Sequence, residues 1–220
     1  MTRHRHLPQT ASIAEPGDDG RLHAPAAARN AQAIIDLMIR YAPSGGKALE
    51  IASGTGQHVA GLARALPALT WQPSEIDAAR RGSINSWAAQ IPNILPAIPL
   101  DATTPGWSVC QADQDLILLV NLLHLISIAE TRILITEVAR ALAPGGRFCL
   151  YGPFLRDGIT VSDGDASFDA SLRAADPEIG YKDVGAVQRW LADSGLRVIA
   201  TVDMPANNLT LISERPAETP

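Results

Sequence analysis

The stretch KALEIASGTG, residues 47–56, decides how the rest of the chain is read. It is a short apolar run with a carboxylate at Glu50, followed by small residues that end in Gly54 and Gly56. Glycines there let the backbone turn tightly and come close to a ligand, and the first amides of a following helix offer donors to a polar group. In outline this is a nucleotide-cofactor loop. The acid narrows the choice: an ionised Glu50 just ahead of the loop would repel a diphosphate and attract a cationic ligand.

Outward from this loop the chain alternates strand and helix signals. Residues 48–51 read as a short strand, and 57–66 as a helix with Val59, Leu62, Ala63 and Leu66 on one face, stopped by Pro67. A second strand is expected over 69–74, a helix over 77–90 and a third strand over 94–100. The run DLILLV at 115–120 suits a strand buried on both faces. Leu134, Val138 and Leu142 mark a further helix, ended by Pro144, Gly145 and Gly146, and 147–151 return to strand. This order implies parallel strands with covering helices. Asp183 is placed to cap a helix carrying Val184, Val187 and Leu191, with Gly195 to end it. The five residues 204–208 between the apolar runs 196–202 and 209–213 are too few for a helical crossover, so those two strands should pair antiparallel.

Upstream, a helical pattern follows Pro25, with Ile34/Met38 and Ile35/Ile39 four apart. Residues 1–24 carry Arg3, His4, Arg5 and His6, then prolines, glycines and acids, and read as a mobile arm ahead of a single domain over 25–220. The His4 and His6 pair reads as solvated, with no metal site expected anywhere in the chain. The 220 residues, 46% of them hydrophobic, suffice for one substantial core. No segment reaches the roughly 18 consecutive apolar residues that cross a bilayer, and the first ten lack the apolar centre of a secretory signal, so a soluble, cytoplasmic protein is expected. A formal net charge of −5 argues against nucleic acid as a partner and for a small molecule. Cys110 and Cys149 have no metal-knuckle spacing and read as packing residues.

In an open parallel sheet, ligands bind beyond the carboxyl ends of the strands. The expected strand ends offer Glu50 with the glycine loop, then Ser74, Glu75 and Asp77, then Asp101, then Asn121 and His124. An acid at any one of these positions has a plain reading as a helix cap. Their recurrence along one edge marks a site.

These residues resemble the class I S-adenosylmethionine-dependent methyltransferases, whose first motif runs acid-x-Gly-x-Gly-x-Gly and reads here Glu50-Ile51-Ala52-Ser53-Gly54-Thr55-Gly56, with Ala52 in place of the first glycine. Longer strings, PAAARN, LEIASGTGQH, LTWQPSEID, NLLHLI, APGGRFCLYGPF, FDASLRAADPEIGYKD and MPANNLTLI, spread over residues 25–214, resemble the family that includes methyltransferase-like protein 26. The resemblance implies a Rossmann-like three-layer α/β sandwich, with a seven-stranded, mostly parallel sheet whose last strand is antiparallel. It also implies S-adenosylmethionine as cofactor. Glu50 would then lie near the cationic methionine end, with the loop backbone of Ala52, Ser53, Gly54 and Gly56 beside the ribose and carboxylate. Glu75 would bind both ribose hydroxyls, a role open to Ser74 or Asp77 as well. Asp101 would accept from the adenine amino group, and Asn121 and His124 would border the methionine portion and the acceptor.

On the acceptor side, Tyr151, Phe154 and Arg156 follow the fifth expected strand. A polar connection over 157–183, with Phe168, Leu172 and Tyr181, is long enough to be a lid. Phe154, Phe168 and Leu172 either plug the sheet edge or meet substrate, and Arg156 would suit a carboxylate-bearing acceptor. His124 is the best single candidate for a general base. His58 would cap its helix or pack beside the cofactor, and Asn207 and Asn208 shape the last hairpin. The reading is methyl transfer to an oxygen or nitrogen of a small molecule. Its alternatives are a cofactor-binding protein without turnover and a nicotinamide-dependent oxidoreductase.

Overall fold

The computed structural model describes residues 13–17 and 19–217. Its centre is a six-stranded sheet in the order β4 (Leu69–Pro73), β3 (Gly46–Ile51), β5 (Gln114–Val120), β6 (Leu142–Gly152), β10 (Leu209–Glu214), β9 (Arg197–Asp203). The first four are parallel, while β10 runs antiparallel to both β6 and β9. The antiparallel pairing expected at the end of the chain is therefore present, and the short 204–208 link is its hairpin.

Alternation along the strands builds a core on each face. Leu49, Ile51, Ile117 and Leu119 point one way, onto α4 (Ile128–Ala141) and α6 (Val184–Asp193). Ala48, Leu116 and Leu118 point the other way, onto α1 (Pro25–Tyr41), α2 (Gln57–Ala65) and α3 (Ala78–Ala88). With both faces covered, β5 must be apolar at successive positions, which is why DLILLV reads as a continuous run. Helix starts are fixed by side-chain caps: Asp77 accepts from Arg80 N, Ser127 and Glu130 form a reciprocal capping box, and Asp183 accepts from Ala186 N as expected.

The seventh strand is where structure and expectation part. Residues 94–100 contribute only isolated parallel bridges, Trp71 to Ile94 and Ser74 to Ile98, beside β4. Pro92, Pro96 and Pro99 lack the amide protons that a continuous ladder needs, so an edge segment pairs only at scattered positions. The first bridge includes Leu95 N donating to Trp71 O at 2.8 Å, and Asn93 Nδ2 adds bonds to Ala63 O and Leu69 O.

His4, His6 and the rest of residues 1–12 lie outside the described residues. Within the remainder of the expected arm the chain forms a hairpin of β1 (Glu15–Pro16) and β2 (Leu22–His23), docked on α3. Leu22 N donates to Ser83 Oγ at 2.7 Å, Trp87 Nε1 donates to Leu22 O at 3.2 Å, and the Arg21 guanidinium lies 4.7 Å from the Trp87 ring centroid. Ser83 in turn donates to Thr55 O, tying the hairpin to the glycine loop. Trp87→Ala should therefore lower the free energy of unfolding by about 1–3 kcal/mol, read from the urea midpoint. Amides of residues 19–23 should lose more protection than those of β5, which exchange faster only by the global loss of stability; equal losses in the two would contradict this docking.

The 157–183 connection contains α5 (Asp163–Ala175), and its roots are joined where β7 (Phe154–Leu155) pairs in parallel with β8 (Lys182–Asp183). Among the described residues, no helix is long and apolar enough to cross a membrane, and no cluster of His, Cys, Asp and Glu could hold a metal ion.

Candidate functional site

Strand order reverses between β3 and its neighbours: the chain moves from β3 to β4 on one side and later returns to β5 on the other. A crevice opens beyond the carboxyl ends of β3 and β5. Both strands end in left-handed backbone, at Ala52 (φ 53°) and Asn121 (φ 58°). The loop curls through Gly54 and Gly56 into α2, and Gly56 has a specific reason to be glycine. It sits at φ 95°, and a Cβ there would stand 2.8 Å from Ile84 Cα of α3.

The loop is stapled to β4. Ser74 donates through both N and Oγ to Glu50 O, at 2.9 and 2.8 Å, and Ser53 N donates to Ser74 O at 2.9 Å. Ser74 is thereby consumed in the scaffold and fully buried. Glu75, the next residue, accepts from Gly54 N at 3.0 Å through Oε2 and from Asp77 N at 3.1 Å through Oε1. These bonds fix its carboxylate beside the loop, in the lining of a cavity of ≈ 1020 Å³. The volume is at the upper end of what small-molecule sites use.

Of the residues singled out from the sequence, Glu50, Ala52, Ser53, Gly54, His58, Glu75, Asp101, Asn121, His124 and Tyr181 line this cavity, and so does Asp77. Asp101 accepts from Thr103 N and Oγ1 with Oδ1, while its buried Oδ2 has no partner. Glu50 is 1% exposed, and its Oε2 likewise has no partner. Burial, with Glu75 adding to it, raises the Glu50 carboxyl to about 8, which favours its protonated form at neutral pH. The ionised acid inferred from the sequence is thus the form a nearby cation would restore.

This shift sets a stability profile. Because the folded pKa lies above the ordinary 4.5, the contribution of Glu50 is complete below pH 4.5 and is lost as pH rises from there through about 8. Urea unfolding of the ligand-free protein and of Glu50→Gln across this window should show the native protein losing up to about 5 kcal/mol relative to the variant. Parallel profiles would contradict the burial assigned to Glu50.

Two histidines are held neutral. His58 Nε2 lies 2.7 Å from Asn30 Oδ1, and burial lowers its pKa to about 4. His124 is buried, its Nδ1 has no partner, and burial followed by the nearby Lys182 ammonium lowers its pKa to about 3. Neutral, His124 is a poor store for a proton, and its Nδ1 is left for a ligand to bond. Its ring meets Phe168 and Tyr181 edge to face, with centroids 5.8 and 6.1 Å away.

The other acceptor-side residues lie elsewhere. Tyr151 alternates with Leu150 on β6 and points into the α1–α3 core, where its hydroxyl meets Asn30. Phe154 is 3% exposed within the α4 and α6 core. Arg156 pairs with Asp203 at 3.1 Å, away from the cavity lining. Gly56 packs on α3 rather than lining the cavity. Ala24, residues 25–27 and Arg29 of α1, and Asp165 of α5 line it without a site role having been read for them from the sequence. Only Asp165 had a local signal, the Ser-x-x-Asp spacing of an N-terminal cap at Ser162.

A family model described as "Protein of unknown function (DUF938)" matches residues 21–215. Among solved structures, the chain is similar to an O-methyltransferase family protein from Burkholderia thailandensis, with a TM-score of 0.73 at 18% identity over 88% of this chain and 58% of that one. It is also similar to an O-methyltransferase family 2 protein from Planctomyces limnophilus in complex with apigenin, with a TM-score of 0.71 at 18% identity over 86% and 58%. Human N-acetylserotonin methyltransferase, in complex with S-adenosylmethionine, gives a TM-score of 0.69 at 12% identity over 87% and 53%. The chain thus spans little more than half the length of these proteins. What it shares with them is the mixed α/β, Rossmann-like methyltransferase fold.

Proposed function

We propose a function for a chain that belongs to the family of the DUF938 model: transfer of a methyl group from S-adenosylmethionine to an oxygen or nitrogen of a small-molecule acceptor. The observation that carries this reading is that three buried polar atoms without partners, Glu50 Oε2, Asp101 Oδ2 and His124 Nδ1, belong to residues lining one cavity at the switch point of the sheet. A buried unpaired polar atom is costly, and a ligand bearing donors relieves it. The residues fit such a cofactor. Glu75 would take the ribose hydroxyls, Asp101 the adenine amino group and Glu50 the cationic methionine end. The bound cofactor supplies an electrophilic methyl on a sulfonium. The protein's share is alignment of donor and acceptor and exclusion of water, with α5 over the site as a lid. The sequence strings that resemble the methyltransferase-like protein 26 family support the same reading.

One observation favours a second reading, cofactor binding without turnover: the histidine facing the cavity is too weakly basic to hold an acceptor's proton. Incubating the protein with S-adenosylmethionine and a small-molecule extract of its native source separates the two. Methyl transfer yields S-adenosylhomocysteine together with a metabolite heavier by one methylene. Tight S-adenosylhomocysteine binding with no such product would favour the second reading.

A further inference from the structure

The turn after β5, α5 with the approach to β8, and the β9–β10 hairpin each contribute to the wall of the cavity. His124, Phe168 and Tyr181 form a three-ring corner there, each pair edge to face, with Phe168 and Tyr181 centroids 6.2 Å apart. Among the residues that these pieces contribute to the lining, Asp165 is the one with a formal charge. Its Oδ1 accepts from Tyr181 OH at 3.3 Å, and its Oδ2 accepts from Ser162 Oγ at 2.7 Å and Asn207 Nδ2 at 3.0 Å. All three donors are neutral, so they fix the carboxylate in place without forming an ion pair with it.

Of the nearby cations, Arg173 pairs with Asp169 at 2.8 Å and Arg156 with Asp203; Lys182, whose ammonium lowers the His124 pKa, donates through Nζ to Ile126 O and to Gly180 O, and none of the three lines the cavity. The arginines that do line it, Arg29 and Arg80, come from α1 and α3. Burial, with Asp165 next, raises the Tyr181 phenol, so it stays an O–H donor.

We propose that the acceptor carries a positively charged nitrogen, protonated or quaternary, which sits in the His124–Phe168–Tyr181 corner with Asp165 as its counter-charge. Aromatic faces attract a cation, a fixed carboxylate adds to that attraction, and an anionic group here would face both unfavourably. A charged nitrogen has no lone pair to give, so it anchors the molecule and the methylated atom is another one. The inference rests on the methyl-transfer reading and narrows its acceptor class. It also replaces the carboxylate-bearing acceptor that Arg156 suggested.

Calorimetric titration of the full chain, saturated with S-adenosylhomocysteine, tests it with benzyltrimethylammonium, benzyl alcohol and phenylacetate as probes at one ionic strength. The ammonium should bind saturably and at least about tenfold more tightly than either of the others. Asp165→Asn, which keeps its hydrogen-bonding shape, should weaken that binding about tenfold, and Phe168→Leu should weaken it severalfold. In both variants the affinity for S-adenosylhomocysteine should stay within about twofold of the original. Equal or tighter binding of phenylacetate, or no effect of either variant, with S-adenosylhomocysteine still bound, would overturn the acceptor inference alone. Failure of the unaltered protein to bind S-adenosylhomocysteine would overturn the reading beneath it as well.

Discussion

Glu75→Ala is expected to weaken S-adenosylhomocysteine binding by on the order of 100-fold or more. The carboxylate is 6% exposed and held from behind by Gly54 N and Asp77 N, so it presents its remaining lone pairs in a fixed direction. Two hydrogen bonds from ribose hydroxyls to an ionised acceptor are worth roughly 1.5–3 kcal/mol each, and their loss together gives about that change in affinity. The substitution also leaves two loop amides without their acceptor, which loosens the backbone that the cofactor must pass. Glu75→Gln keeps one acceptor oxygen and the side chain's shape, and should lose only about tenfold. Calorimetric titration reads both. A change of less than about threefold in Glu75→Ala would remove Glu75 from the cofactor site.

Gly56→Val should be the most damaging single change to the fold near the site. The residue sits at φ 95°, which a β-branched side chain adopts only under strain, and its Cβ would meet Ile84 Cα at 2.8 Å. Backbone strain of about 1–3 kcal/mol and overpacking of about 1–3 kcal/mol act together, against a total stability on the order of 5–15 kcal/mol. The urea midpoint should fall accordingly, and cofactor binding should be lost through displacement of α2 from α3. Gly54→Val offers a contrast. Its φ is 58°, but the nearest side-chain atom to an added Cβ is Arg80 Nη1 at 3.9 Å, so strain acts there without a clash and stability should fall less. Equal stability losses at the two positions would contradict the close approach of α2 and α3.

Much of the architecture was legible because its signals are local. The apolar run before Glu50, the unbroken DLILLV of β5, the Asp183 cap and the five-residue link before β10 each act within a few residues. The third expected strand is reduced to isolated bridges for a local reason too: the prolines at 96 and 99 cannot donate to a ladder, and that outweighs the apolar pattern of 94–100. Other features depend on partners distant in sequence. The hairpin over 15–23 looks like unstructured chain until Trp87 and Ser83 are placed beneath it. Arg156 faces Asp203, 47 residues away. Tyr151 was placed at the site because it ends a strand, whereas alternation along β6 turns it to the other face. The neutral states of Glu50 and His124 follow from burial, which residue type and spacing do not reveal.

The central claim is that the cavity beyond β3 and β5 holds S-adenosylmethionine through the acids at successive strand ends. A crystal structure of the protein with S-adenosylhomocysteine tests it most directly. The account predicts ribose hydroxyls within hydrogen-bond distance of Glu75, the adenine amino group at Asp101 Oδ2, and the methionine end beside Glu50 with sulfur facing His124 and α5. The ligand bound elsewhere, or bound in this cavity with its ribose away from Glu75 and its adenine away from Asp101, would contradict the account.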